Sequence, residues 1–299
     1  MLFYPIQYEG LEQSKNIVYT GAAPNQQILP ATKWAIDNLG KKIFIVGSDY
    51  VFPRTASAIM QDAIRDFGGE VVGDEYILLG SQRVNPIIEK IIAAKPDVIM
   101  NNINGDTNVE FFKQLVEAGI TAEKIPVFSF SLAEDELRNL DKTNMAGHYT
   151  AWNYFQSIQS KKNNDFVEAY KAKYGSHRVT DDPIEAGYFG VYLWSEAVKK
   201  ANSTDPEKVQ KHLGGSSFEA PGGLVYIDKD TQHTWKQVHI GKFTTNGQVD
   251  IAWSSGKPIK PIPYPTTRSK SEWETFLLEM YGNWGGKWAN PGNLVTVEK

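Results

Sequence analysis

Apolar residues switch between a helical and an extended spacing from Ile28 onward, and this switching predicts helices interleaved with strands. Apolar positions at helical spacing predict a helix over 28–39 that ends at Gly40. The next segment, KKIFIVGSDY, is typical of a buried parallel strand followed by its carboxyl-end loop. The pattern then repeats, with strands predicted over 70–79, 97–103 and 125–131 and helices over 55–67, 85–94, 107–118 and 132–140. The resulting βαβαβαβ order predicts a parallel sheet covered by helices on both faces.

The pattern changes after residue 150. Three helices are predicted in succession over 165–174, 184–201 and 206–213, and antiparallel strands follow over 222–243 and 247–253, with a turn at Asn246-Gly247. The tail from Lys257 is rich in Pro, Gly and Trp, has little periodicity and carries no predicted element. The amphipathic helices need a sheet to cover, but only MLFYPI and NIVYTGA remain to form it. We therefore expect further sheet-forming sequence upstream of Met1.

Composition and charge narrow the range of functions. The net charge is −4, and no run of Lys or Arg suggests a nucleic-acid or anionic membrane surface. No segment is apolar over the ~20 residues that a membrane-spanning helix requires. The chain has 0 Cys, which excludes disulfides, thiolate metal ligands and cysteine nucleophiles. We expect neither nucleic-acid binding nor insertion into a membrane.

The sequence offers no recognisable catalytic set. Its 5 His are scattered without the paired spacing of a metal site, and neither a G-x-S-x-G elbow nor a phosphate-binding P-loop is present. We therefore expect no metal, no cofactor and no enzymatic activity. Hydrolysis of an amide remains the alternative from another class, although it needs a nucleophile or a metal-activated water.

Several blocks of the sequence resemble one known family. LFYPIQYEGLEQSKNIVYTGAAPNQQ, GSDYVFPR, NNINGDTNVEFF, AWNYFQSI and EAGYFGVYLW are similar to the urea-binding proteins of ABC importers. These form a branch of the type I periplasmic binding proteins, near the short-chain amide sensors and the branched-chain amino-acid binders. The resemblance implies an α/β fold with two lobes, each a parallel sheet flanked by helices, and with part of the first lobe missing. It divides the chain into a lobe 1 remnant (1–23), lobe 2 (24–149), returning helices of lobe 1 (150–224), and crossing strands with a tail (225–299).

The same resemblance implies a ligand site at the strand ends between the lobes, formed by Tyr4, Gln7, Tyr50, Phe52 and Asp106. Urea has one carbonyl acceptor and four N–H donors, so a selective site needs an excess of acceptors and aromatic walls. Other interpretations remain for each residue. Spacing alone favours a helix N-cap for Asp106. Phe52 is equally expected to pack beneath the loop that carries it. Tyr4 also fits an aromatic residue at the edge of a sheet, and Gln7 also fits a surface position. Position 6 is Ile in this chain, whereas the short-chain amide sensors have a residue with a hydroxyl group there, so the resemblance implies that this contact is absent.

Four further residues are candidates for the rim of the cleft: Ser48, Asn104, Glu185 and Tyr188. Ser48 also fits a turn or capping role, Glu185 fits a first-turn acid, and Tyr188 fits a core aromatic.

The resemblance implies a solute-binding component that captures urea or a small amide and delivers it to the membrane permease of an ABC importer. It also implies a periplasmic or extracytoplasmic location, with the signal peptide upstream of this chain or lost. The alternative within the same fold is a cytoplasmic short-chain amide sensor that controls a regulatory partner.

Overall fold

The fold is described by a computed structural model over residues 1–292. The helices are α1 (Ile28–Asn38), α2 (Val51–Asp66), α3 (Asn85–Ala94), α4 (Thr107–Glu117), α5 (Lys142–Met145), α6 (Lys161–Tyr174), α7 (Asp182–Ala201), α8 (Pro206–Gln210) and α9 (Lys270–Asn283). The strands are β1 (Leu2–Tyr4), β2 (Ile17–Tyr19), β3 (Lys42–Ser48), β4 (Glu70–Ile77), β5 (Val98–Asn102), β6 (Val127–Ser129), β7 (Tyr149–Trp152), β8 (Ser217–Ala220), β9 (Gly223–Ile227), β10 (Thr234–Trp235), β11 (His239–Phe243) and β12 (Val249–Ser254).

The largest sheet has seven strands in the order β12-β11-β7-β6-β5-β3-β4. Strands β3 to β7 are parallel, whereas β11 and β12 join one edge in antiparallel orientation. The predicted parallel sheet is confirmed. The sheet also incorporates β11 and β12, which come from the segment that the sequence assigned to crossing strands and tail.

Helices bury apolar residues on both faces of this sheet, as predicted. One core contains side chains of α3 and α4, including Ile91 and Phe111, packed against β3 and β5. The other contains side chains of α1 and α2, including Ile36 and Ile59, together with Trp273 of α9. We call the seven-stranded sheet with its helices the sheet lobe.

The remaining elements form a second, smaller unit, which we call the small lobe. Strands β1 and β2 pair in parallel, and β8, β9 and β10 form an antiparallel sheet. Phe189 and Leu193 of α7 share a core with Val18 of β2 and Val225 of β9. The small sheets do not cover all of α7, because Val191 is 62% exposed. The chain passes between the lobes after β2, after β7 and before β11.

Several predicted helices have other bounds in the structure: the helix predicted over 132–140 is a 3-10 turn at Glu136–Asn139, α6 begins at Lys161, and α8 ends at Gln210. Two further differences have a clear cause. Helix α2 begins at Val51 and not at Thr55, because Pro53 lies in the first turn, where proline is tolerated. The tail after Lys257, for which no element was predicted, contains α9. Ser269 and Glu272 form a capping box at its start, and this signal was present in the sequence.

Among residues 1–292, no helix combines the length and the apolar character needed to cross a membrane. Within the same range, no three His, Asp or Glu side chains are grouped as metal ligands.

Candidate functional site

The carboxyl ends of β3 and β5 lie side by side, because these parallel strands are neighbours in the sheet. The hydroxyl of Ser48, which is buried, accepts a hydrogen bond from the backbone N–H of Asn104 at 3.0 Å. The side-chain amide of Asn104 donates to the carbonyl of Asn102 at 3.0 Å. Both residues, predicted as rim positions, therefore brace the two strand ends against each other.

Asp106 follows at the start of α4, on the same edge of the sheet. It occupies the N-cap position, but its carboxylate accepts no hydrogen bond from the first turn of the helix. The side chain is exposed. The capping role favoured by spacing is thus not performed by the side chain, and the carboxylate remains available as an acceptor.

Tyr50 and Phe52 stand at the start of α2, with ring centroids 6.4 Å apart. Tyr50 is half-buried, whereas Phe52 is only 5% exposed and is packed into the protein. Burial raises the pKa of the Tyr50 hydroxyl, and the charges of Glu9 and Tyr4 raise it further. Tyr50 is therefore the accessible aromatic of the pair and lies within electrostatic range of the segment after β1.

Gln7 connects the segment after β1 to the sheet lobe. Its side-chain nitrogen donates to the carbonyl of Phe130, directly after β6, at 3.1 Å. The side chain is 9% exposed, and its Oε1 is buried without a hydrogen-bond partner among the described residues. Reversing the amide would place Oε1 against the Phe130 carbonyl oxygen, so the Nε2 contact fixes the orientation of the group.

Tyr4 and Glu9 flank Gln7 in the same segment. Tyr4 is 36% exposed, and its pKa is raised by burial and by the negative charges of Glu9 and Glu12. Burial raises the pKa of Glu9 to about 7, although a backbone hydrogen bond opposes this. Glu9 was missed from the sequence, even though it lies two residues after Gln7 in the block YPIQYEG.

Glu185 and Tyr188 do not lie at an open rim beside these residues. The carboxylate of Glu185 is buried and accepts a hydrogen bond from the backbone of Gly222 at 3.1 Å. Its pKa is raised to about 7 by burial, and the positive charge of Lys236 opposes this. Tyr188 packs between Phe166 of α6 and Tyr192 of α7, at centroid distances of 4.6 and 4.8 Å. Both residues belong to the interior and the helix contacts of the small lobe.

The C-terminal segment also reaches this region, which the sequence did not predict. Ala289 forms an antiparallel bridge with Tyr50, and Asn290 contacts Asp49. Tyr4 and Glu9 lie close enough to Tyr50 for their charges to act on its hydroxyl, and Gln7 belongs to the same segment after β1. Ser48, Asn104 and Asp106 lie at the carboxyl ends of β3 and β5, on the edge of the sheet where α2 begins. Hydrogen-bond acceptors predominate in this set, and no cationic side chain is among them.

A family profile described as periplasmic binding protein domain matches residues 1–270. The chain belongs to this family. Among curated proteins, this chain is similar to the Leu/Ile/Val-binding protein homolog 6 of Brucella melitensis, with 25% identity over 232 residues. That match covers 76% of this chain and 59% of the Brucella protein, so the chain spans less than two thirds of that relative.

A second similarity is to a protein of Geobacillus stearothermophilus named limonene hydroxylase. It is 36% identical over 121 residues, which are 40% of this chain and only 22% of the Geobacillus protein. The activity in that name belongs to that protein and is not transferred to this periplasmic binding protein.

Solved structures share the fold. A solute-binding protein of an ABC transporter from Rhodopseudomonas palustris BisB5, in complex with 3,4-dihydroxybenzoic acid, has a TM-score of 0.74 and 26% identity, covering 82% of this chain and 68% of that one. An amino-acid ABC transporter substrate-binding protein from Pseudomonas fluorescens Pf-5 has a TM-score of 0.75 and 20% identity, covering 89% of this chain and 74% of that one. At that identity, the second likeness concerns the fold alone.

Proposed function

We propose that the protein is the solute-binding component of an ABC importer and that it captures urea or a small amide between its two lobes. The proposal includes delivery of the ligand to the membrane permease of that importer and a periplasmic location. Membership of the periplasmic binding protein family supports the general role, and the site chemistry supports the ligand class.

The observation that carries the ligand class is the buried, unpaired Oε1 of Gln7. A buried acceptor without a partner costs about 1–3 kcal/mol, so a ligand that supplies an N–H group removes this penalty on binding. A ligand group that contacts Oε1 has to be a donor, because the bond from Nε2 to Phe130 leaves the oxygen as the free end of the amide. Urea and primary amides supply such donors.

The neighbouring groups complete the match to a small neutral amide. The Asp106 carboxylate is a further free acceptor, and a carboxylate accepts two N–H bonds from one planar ligand. The hydroxyls of Tyr4 and Tyr50 can donate to the single carbonyl of urea. The half-buried ring of Tyr50 offers a flat wall against the planar ligand.

The charges at the site oppose a purely anionic ligand. Asp106 is acidic, Glu9 adds a partly ionised carboxyl group, and Arg54, the cation next to this turn, is already bonded to Asp49 at 2.7 Å. A benzoate would bring its negative charge toward these acids without a cationic partner. The site therefore favours a neutral amide over an aromatic carboxylate.

Thermal unfolding in the presence of a ligand panel tests this proposal. We expect urea, formamide and acetamide at about 10 mM to raise the unfolding midpoint, because a ligand at about 100 times its Kd stabilises the native state by about 2.7 kcal/mol. Leucine and 4-hydroxybenzoate serve as controls of matched concentration. A rise with either control and none with any amide contradicts the proposal.

A further inference from the structure

The C-terminal segment 288–290 lies directly against the turn that carries Tyr50. The backbone N–H of Val51 donates to the carbonyl of Trp288 at 2.8 Å. The N–H of Asn290 donates to the carbonyl of Asp49 at 3.0 Å. These two bonds flank the bridge between Tyr50 and Ala289, so the backbone of Tyr50 is held from both sides by the tail.

The carboxylate of Asp49 connects this tail to α2. Asp49 is 6% exposed, and both of its oxygens are engaged. Oδ1 accepts from Nε of Arg54 at 2.7 Å, and Oδ2 accepts from the side-chain nitrogen of Asn290 at 2.6 Å. The Arg54 guanidinium is itself held over the ring of Tyr76, at 3.5 Å from its centroid. Each oxygen of Asp49 thus has a partner, and the carboxylate acts as a clamp that joins α2 to the tail.

We infer that Asn290, acting through Asp49, is a positioning residue that holds Tyr50 in its ligand-binding orientation. This inference rests on the proposed function, because it assigns a task to Tyr50 in binding. The physical reason is the cost of ordering. A turn that is already fixed before binding loses little conformational entropy when the ligand binds. A flexible turn loses more, and this loss weakens the affinity.

The substitution N290A in the full chain tests the inference, with N283A as a matched control. Asn283 is exposed at the end of α9 and lies in the same C-terminal region. Two quantities are measured, namely hydrogen exchange of the Val51 amide without ligand and the Kd for urea by calorimetry. We expect N290A to speed the exchange of Val51 about tenfold and to raise the Kd about five- to tenfold, and N283A to leave both unchanged.

The exchanged pair D49N/N290D provides the rescue. In this variant the amide at position 49 donates to the carboxylate at position 290, and its oxygen still accepts from Arg54. We expect the Kd to return to within about twofold of that of the unsubstituted protein. Unchanged affinity in N290A, with or without faster exchange of Val51, overturns the inference alone. Failure of the unsubstituted protein to bind urea, formamide and acetamide overturns the proposed function and, with it, this inference.

Discussion

The buried ammonium of Lys236 lies 3.4 Å from the carboxylate oxygens of Asp182, at the point where the chain passes between the lobes. Lys236 also donates to the carbonyl of Thr20 at 3.1 Å, and Asp182 accepts from the backbone of Asn153 at 2.9 Å. One ion pair thus joins groups from all three passages between the lobes.

Removing the cation of this pair is expected to destabilise the fold strongly. In K236M the carboxylate of Asp182, which is 0% exposed, stays buried without its charge partner. We expect a loss of about 3 kcal/mol in the free energy of unfolding, as for other broken buried pairs. Unfolding in guanidinium chloride measures this, since urea is a candidate ligand.

The double variant D182N/K236M is the control for this prediction. It removes the uncompensated charge while an oxygen at position 182 can still accept from Asn153. We expect it to be more stable than K236M by about 1–2 kcal/mol. Equal stability of the single and double variants would show that packing of the lysine stem, and not charge pairing, is what matters.

The unpaired acceptor of Gln7 leads to a prediction for affinity. In Q7L the ligand loses its partner at Oε1, and the bond from Nε2 to Phe130 is lost as well. We expect the Kd for urea to rise about tenfold, the equivalent of one hydrogen bond. Calorimetric titration checks this. Q159L is the matched control, because Gln159 is exposed and also donates to a backbone carbonyl, that of Ser157. A similar rise in both variants would refute a specific role for Gln7.

Asp106 is expected to matter for binding and not for stability. Its carboxylate caps no helix and is exposed, so D106N leaves the free energy of unfolding unchanged within about 0.5 kcal/mol. Loss of a charge-assisted acceptor is expected to raise the Kd for urea about 10- to 100-fold. The exposed carboxylate of Asp165 on α6 gives the control D165N. Full retention of affinity in D106N would remove Asp106 from the site.

Stability is expected to fall as the pH rises from 6.5 to 8. Burial raises the pKa of Glu134 to about 8, and the pKa values of Asp181 and Glu185 are raised to about 7, also by burial. An acid with a raised pKa binds more protons in the native state than in the unfolded state. Its contribution to stability is complete when the pH is below its pKa in the unfolded state, and it is lost as the pH rises through its pKa in the native state. Burial lowers the pKa of His148, His233 and His239 to about 4, so these residues are neutral in the native state but about half protonated in the unfolded state at pH 6.5. Together they offset only about 1 kcal/mol of this loss as the pH rises to 8.

The variant E134Q isolates the contribution of Glu134. Its side-chain oxygen can still accept from the backbone of Gln156, as Glu134 does at 2.7 Å. One pKa unit corresponds to about 1.4 kcal/mol, so between pH 6.5 and 8 we expect the variant to lose about 2 kcal/mol less stability than the unsubstituted protein. Unfolding in guanidinium chloride at both pH values measures the difference. Parallel pH profiles would show that Glu134 is ionised in the native state.

The sheet lobe was predictable because its signals are local and strong. The apolar run before Ser48 and the helices that flank it define a parallel α/β unit within a short stretch of sequence. Helix α9 was missed because only Trp273 and Met280 of its residues are buried, which leaves too narrow an apolar stripe to produce a clear period. The place of β11 in the sheet depends on pairing with β7, about ninety residues earlier, and no local pattern encodes it.

The site was predictable only where strand ends supply its residues. Tyr4 ends β1, Gln7 lies three residues beyond it, and Tyr50 follows β3, with the charge of Tyr4 acting on the Tyr50 hydroxyl. Asn290 was not predictable, since its contact with Asp49 joins positions 241 residues apart. Glu185 was wrongly expected at the rim, because an acid in the first turn of a helix is usually exposed. In the fold its side chain is buried, and its carboxylate accepts a hydrogen bond from the backbone of Gly222.

Calorimetric titration of the full chain distinguishes capture of a small amide from capture of an amino acid or a benzoate. We expect a saturable heat at one site for urea or a primary amide, and none for leucine or 4-hydroxybenzoate. Saturable binding of leucine or 4-hydroxybenzoate, with no heat from urea, formamide or acetamide, would contradict this expectation.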